Sequence, residues 1–99
     1  MIQSFGDAGT QDVFDGLNSK SARKTCPRLL CTVARRKLDQ LNQAETLEDL
    51  RVPPRNRLRK LRKERRGQHS IRINDQYRIC FRWTERGPED VEIADYHRG

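Results

Sequence analysis

Apolar residues recur at Leu30, Val33, Ala34, Leu38, Leu41 and Ala44, in steps of three and four that set them on one stripe of a helix. The spacing predicts a helix from about Arg28 to Ala44. Thr25 supplies its cap oxygen and Pro27 a first-turn residue whose missing N–H costs nothing there. Arg35, Arg36 and Lys37 fall mostly on the opposite, solvated side. Upstream, Val13, Phe14 and Leu17 predict a short helix over residues 11–17, after a loop at 7–10. Residues 18–24, NSKSARK, are polar and read as a linker or an extension of that helix. Met1 to Phe5 alternate imperfectly and predict a short strand burying Ile2 and Phe5.

Beyond Ala44 the period changes. Residues 46–50 read as a turn or helical fragment, and Val52-Pro53-Pro54 stops any helix because proline restricts itself and its predecessor. Leu58 and Leu61, the only apolar residues between Pro54 and Gly67, fit a twisted edge strand or a loop. Three strand-like runs follow, at 68–73, 77–83 and 91–96, with turns at Asn74-Asp75 and Gly87-Pro88. In the middle run Tyr77, Ile79, Phe81 and Trp83 point one way and Arg78, Cys80 and Arg82 the other. Ile79, Phe81 and Trp83 supply the core, so Arg78 and Arg82 look out from an open sheet face, joined by Arg72. The order predicts an α+β fold with two N-terminal helices packed on one face of a small, twisted, mainly antiparallel sheet.

Length and charge narrow what such a sheet can do. The 99 residues form one domain, 1–99, too short for a deep cofactor cleft between two domains. Apolar residues make up 33% and charged residues 35%, against roughly 45–50% and about 25% in ordinary globular domains; a core this sparse implies a stabilising partner. The net charge is +7, and residues 51–66 account for all of it: nine basic residues stand there against Glu64, while the other 83 carry 12 basic and 13 acidic residues. So one-sided a segment reads as a polyanion-binding strip rather than a solvated face. The guanidinium groups of the sheet suit phosphate oxygens, which they grip with two donors at once.

Other classes fall away. The longest apolar run is Leu29-Leu30-Cys31, which excludes a membrane span or signal-peptide core and leaves a cytoplasmic protein. Cys26, Cys31 and Cys80 are odd in number and match no metal or redox spacing, and only His69 and His97 could join them. Neither zinc nor a disulfide framework is expected. Nothing points to a reactive thiol at Cys26 or Cys31.

The run Leu50-Arg51-Val52-Pro53-Pro54, then Asn56-Arg57-Leu58, the stretch GQHSIRINDQYRICFRW from Gly67 to Trp83, and the ending VEIADYH from Val91 to His97 closely resemble the HigB toxins, also called plasmid maintenance system killer proteins, of the RelE/ParE superfamily. The resemblance runs from Met1 to His97 and is weakest over residues 7–28. It implies the α+β fold described above and a toxin of a type II toxin–antitoxin system: a ribosome-dependent endoribonuclease that cuts translated mRNA without metal or cofactor. It also implies a cognate antitoxin partner of the HigA-like helix-turn-helix kind in a hetero-oligomer, and binding at the A site of the 70S ribosome. By position, Asp95, Tyr96 and His97 match the family's catalytic C-terminus, Arg78 its sheet arginine, and Arg62 a basic residue of the preceding strand and loop. Relatives often carry a lysine near a Gly-Asp-Arg sequence; here the stretch reads Leu61-Arg62-Lys63-Glu64-Arg65, so either Arg62 or Lys63 takes that place. Arg57, Arg59, Lys60, Lys63, Arg65, Arg66, Arg72 and Arg82 are the expected RNA and ribosome contacts.

Cleaving RNA without a metal needs a base for the 2′-hydroxyl proton, cations for the charge on phosphorus, and an acid for the leaving 5′-oxygen. His97 suits either proton-transfer role near neutrality. Arg78, with Arg62 or Lys63, would hold the phosphate; Asp95 would orient or tune the histidine, and Tyr96 would stack on a base or lend its hydroxyl. Two other functions fit the same scaffold: a ParE-like inhibitor of DNA gyrase, and a non-toxic homologue that binds RNA or ribosomes.

Overall fold

The computed structural model describes residues 1–96. Three helices, α1 (Ala8–Phe14), α2 (Lys20–Thr25) and α3 (Cys31–Gln43), precede four strands, β1 (Arg59–Lys60), β2 (His69–Arg72), β3 (Tyr77–Thr84) and β4 (Gly87–Asp95). The strands make one antiparallel sheet in the order β1-β2-β3-β4. The α+β architecture expected from the sequence is therefore borne out, with a third helix added.

Local hydrogen bonds explain where the helices differ from the hydrophobic pattern. α1 starts at Ala8 rather than Gln11 because the Asp7 carboxylate accepts from the Thr10 N–H at 2.6 Å. α2 occupies the residues that read as a linker or extension: Ser19 caps it by accepting from the Ala22 N–H at 3.0 Å. It contains no apolar stripe, only the buried Ala22, so packing rather than periodicity holds it. Gly9 permits that packing, since a Cβ there would lie 1.8 Å from Thr25 Oγ1. Thr25 is thus the last residue of α2 and caps nothing; the chain enters α3 through a 3₁₀ turn, Arg28–Leu30, without a side-chain cap. On α3 the expected stripe is in place, with Ala34, Leu38 and Leu41 fully buried in one core with Ile71, Ile79, Phe81 and Val91 from the sheet. Lys37 does not share the solvated side with Arg35 and Arg36. It is half-buried and donates to the Oδ1 of Asn56.

The two sheet edges are handled differently. Met1 to Phe5 do not form a full strand; they run along β4 in parallel with a single bridge, Phe5 to Val91, and hydrogen bonds from Gln3 N to Pro88 O and from Val91 N to Ser4 O. Farther along β4 the Ile93 N–H donates to Thr10 Oγ1 of α1 at 2.9 Å, so one side chain joins helix to sheet. That edge is covered, which removes a template for strand addition. The opposite edge is the two-residue β1, in keeping with the twisted edge expected around Leu58 and Leu61. Gly87 and Pro88 begin β4 instead of separating the last strands, and the turn is Glu85-Arg86. Pro88 is tolerated there because a strand's first residues can lack a ladder donor. Between the Cys80–Glu92 and Arg82–Glu89 pairs β4 carries one extra residue, a bulge containing Asp90 at φ 52°.

His69 lies on the core side of β2, opposite Phe81, with ring centroids 6.3 Å apart. Its Nδ1 is buried with no hydrogen-bond partner among the described residues. Burial, then the positive charges of Lys60 and Arg51, pushes its pKa below the ordinary 6.5. The fold therefore favours the neutral ring, and this contribution, present above pH 6.5, is lost as the pH falls through the lowered value. We expect the urea midpoint to fall between about pH 7 and 5, and His69→Phe to flatten that part of the curve. An identical pH dependence in the variant would refute the assignment.

Candidate functional site

Strand alternation puts Ser70, Arg72, Arg78 and Cys80 on the sheet face away from the helices, and the register carries that face across β4 to Glu92 and Ala94. The sequence places Arg78 on an open surface, and the structure corrects this. Arg78 is only 6% exposed, because the chain around Arg57 and the ring of Tyr96 fold over the face it occupies.

Three acceptors fix the Arg78 guanidinium. Nε donates to Ser70 Oγ at 2.7 Å, and Nη2 to the carbonyl oxygens of Arg57 at 2.6 Å and Ser70 at 3.4 Å. Among the described residues none of its acceptors is a carboxylate, so they orient the side chain without neutralising it. Burial, then the charge of Arg59, pulls its pKa down; an arginine nevertheless stays protonated in water. The Arg57 carbonyl reaches Arg78 from a left-handed backbone conformation, φ 45° and ψ 56°. A non-glycine residue held there costs on the order of 1 kcal/mol or more, so surrounding contacts must maintain it.

Arg78 opens onto a cleft of about 690 Å³ also lined by Arg55, Arg57, Arg59, Arg72, Asn74, Asp75 and Tyr96. Five guanidinium groups thus face one carboxylate, Asp75, which already pairs with Arg72. Such a cleft is suited to an anion with several oxygens. Tyr96 separates it from a second cleft of about 400 Å³, where Arg62, Lys63 and Arg65 stand with Glu64, Asp95 and Leu61. The Tyr96 hydroxyl accepts a long contact of 3.6 Å from the Cys80 thiol. Burial foremost, with that contact, pushes the phenol up to about 12, and burial raises the Cys80 thiol as well. Both groups are neutral at physiological pH.

The sequence-predicted residues are therefore partly brought together and partly dispersed. Arg57, Arg59, Arg72, Arg78 and Tyr96 share the first cleft; Arg62, Lys63, Arg65, Asp95 and Tyr96 share the second. Arg65 is bound to Glu92 at 2.5 Å. Asp95 pairs across the sheet with Tyr77, on the opposite phase from Arg78, and its Oδ2 accepts from Gln76 Nε2 at 3.1 Å. Lys60 and Arg66 are exposed and line neither cleft. Arg82 is exposed too; it lies beyond both clefts on β3 and faces Asp90 at 3.5 Å, so the expected row of three sheet arginines is interrupted. His97 lies outside the described residues. Sequence reasoning missed Arg55, Asn74 and Asp75 as lining groups. For Arg55 the only signal was its place in the basic strip.

Comparison with known proteins gives three findings. A family model described as "RelE-like toxin of type II toxin-antitoxin system HigB" matches residues 3–97. The chain is similar to the "Toxin HigB-1" of Vibrio cholerae serotype O1, 46% identical over 50 residues, which is 50% of this chain and 53% of the relative. It is also similar to an uncharacterized protein of Haemophilus influenzae, 40% identical over 57 residues, 58% of this chain and 56% of that protein. The chain spans about half the length of the curated relatives it matches.

The cleft makes a prediction that needs no substrate. An anion that binds only the folded state raises stability by RT ln(1 + [L]/Kd), about 1.4 kcal/mol at ten times Kd. We expect millimolar inorganic phosphate to raise the melting temperature by several degrees over chloride at equal ionic strength. The Arg55→Gln/Arg72→Gln double variant should lose most of that rise. Equal rises in both proteins would mean that phosphate acts elsewhere.

Proposed function

The chain belongs to the HigB-like toxins, the RelE-like toxins of the type II toxin–antitoxin system HigB, and from that membership we propose that it is a ribosome-dependent endoribonuclease cutting translated mRNA by metal-free acid and base chemistry. The observation that carries the reading is the Arg78 cleft: a buried, oriented guanidinium at the centre of a cluster of arginines. Phosphate cleavage needs fixed positive charge where negative charge develops, and a preorganised cation supplies it without reorienting during the reaction.

In the proposed reaction the RNA 2′-oxygen attacks the adjacent phosphorus and its proton passes to a base. The bond from phosphorus to the 5′-oxygen breaks, and that oxygen takes a proton from an acid. The products are a 2′,3′-cyclic phosphate and a 5′-hydroxyl. Arg78 holds the scissile phosphate with Arg57, Arg59 and Arg72 around it. Arg62 or Lys63, across Tyr96, takes the neighbouring part of the strand. His97 serves as acid or base, and Asp95, two positions before it, tunes its charge. The high pKa of Tyr96 fits a hydroxyl donor or a stacking surface and argues against a base, since almost none of it is ionised near neutrality. The ribosomal A site supplies the other wall of so shallow a site, which places the reaction in the cytoplasm. An antitoxin partner, HigA-like in this reading, would silence the toxin by binding it.

Mapping cuts on translated mRNA after expression of the wild type and of His97→Ala tests the assignment. We expect the variant to cut about 10²–10⁴-fold more slowly, the usual contribution of a general acid or base. Equal cutting by both proteins would remove His97 from the mechanism, and equal cutting of free RNA would make the protein an ordinary nuclease.

A further inference from the structure

Arg57, whose carbonyl holds Arg78, follows a buried asparagine in the chain. Asn56 is fully buried. Its Oδ1 accepts from Lys37 Nζ on α3, while its Nδ2 donates to Gln40 Oε1 at 3.2 Å, Leu50 O at 3.1 Å and Val52 O at 3.4 Å. One carboxamide therefore ties the 3₁₀ turn Pro54–Asn56 both to α3 and to the segment before it. The turn is completed by backbone bonds from Asn56 N to Pro53 O and from Arg57 N to Pro54 O.

Arg57 follows directly, at φ 45°. Arginine disfavours that region where glycine does not, so the conformation must be imposed from outside the residue. No other side chain of the turn is buried: Pro53, Pro54 and Arg55 are all exposed. The Lys37 ammonium is itself close to the cation cluster. Burial, then the charges of Arg36, Arg72 and Arg55, lowers its pKa.

We propose that Asn56 is the positioning residue of the arginine cleft: by pinning the turn to α3 it keeps Arg57 left-handed, and the Arg57 carbonyl then aims the Arg78 guanidinium at an RNA phosphate. The identity of the anion rests on the function proposed above, whereas the link from Asn56 to Arg78 rests on geometry alone. Asn56 touches no substrate in this scheme. It acts through two residues that do.

The test uses the full chain and two readouts: hydrogen exchange of the Arg78 Nε–H by NMR, and affinity for a short RNA methylated at every 2′-oxygen, which can bind but cannot be cut. Asn56→Ala should speed exchange of the Nε–H and weaken RNA binding about tenfold, the effect of misplacing one charged hydrogen-bond donor. Adding Arg57→Gly should restore slow exchange, because glycine takes the left-handed conformation freely. Val13→Ala, a core change away from the cleft, should alter neither readout. Should Asn56→Ala fail to fold, Asn56→Asp keeps the acceptor for Lys37, loses the Nδ2 donors, and is read in the same way. Binding within about twofold of wild type and unchanged exchange in a folded Asn56 variant would overturn the proposal, as would faster exchange that Arg57→Gly does not repair and Val13→Ala reproduces. If the wild type binds this RNA neither free nor on the ribosome while exchange behaves as stated, the RNA reading fails and the positioning role stands.

Discussion

A guanidinium group taken out of water keeps its charge, so its surroundings must supply acceptors in fixed positions. For Arg78 these are the hydroxyl and carbonyl of Ser70, eight residues back on the adjacent strand, and the carbonyl of Arg57, twenty-one residues back. Much of the site follows from that requirement. Ser70 must be a small hydroxyl residue facing away from the core, and Arg57 must turn its carbonyl inward over the sheet face. The acceptors are all uncharged. The cation is held in place while its charge remains available to a ligand.

Holding several arginines around one cleft works against the fold, because burial first and then like-charge repulsion disfavour the charged forms of Arg78 and Lys37 and lower their pKa values. The compensation lies elsewhere. Leu38, Leu41, Ile71, Ile79 and Phe81 form a closely packed core on the other side of the sheet, and Thr10 joins α1 to β4 through the Ile93 N–H. A small core under a strained, positively charged surface is the arrangement expected where function and stability compete. An anion seated in the cleft would relieve that repulsion.

Some of this is visible in the sequence. The stripe on α3 and the alternation in β3 depend only on spacing, and both describe the structure: Ala34, Leu38 and Leu41 on one side, Ile79 and Phe81 on the other, meet in the core. The helix at 20–25 was hidden because it has no stripe; a serine cap and a close approach at Gly9 produce it. Lys37 was misplaced for a related reason. Helical phase shows that it is off the stripe, but only the buried Asn56 beneath it explains why it turns inward.

Order along the chain determined the α+β architecture, the concentration of positive charge in residues 51–66, and which side chains of each strand share a face, since these follow from composition and period. Tertiary structure alone decided what covers each face. Alternation put Arg78 opposite the core, yet the chain around Arg57 and Tyr96 folded over that face and buried it, and the fold split the basic residues into two clefts and left Arg82 and Lys60 outside both. Asp95 shows the same limit: its strand phase is opposite to that of Arg78, and it joins Tyr96 only in the second cleft. The physical reason is distance in sequence. Periodicity is a property of neighbours, whereas the contact between Arg78 and Arg57 is made only when the chain returns on itself.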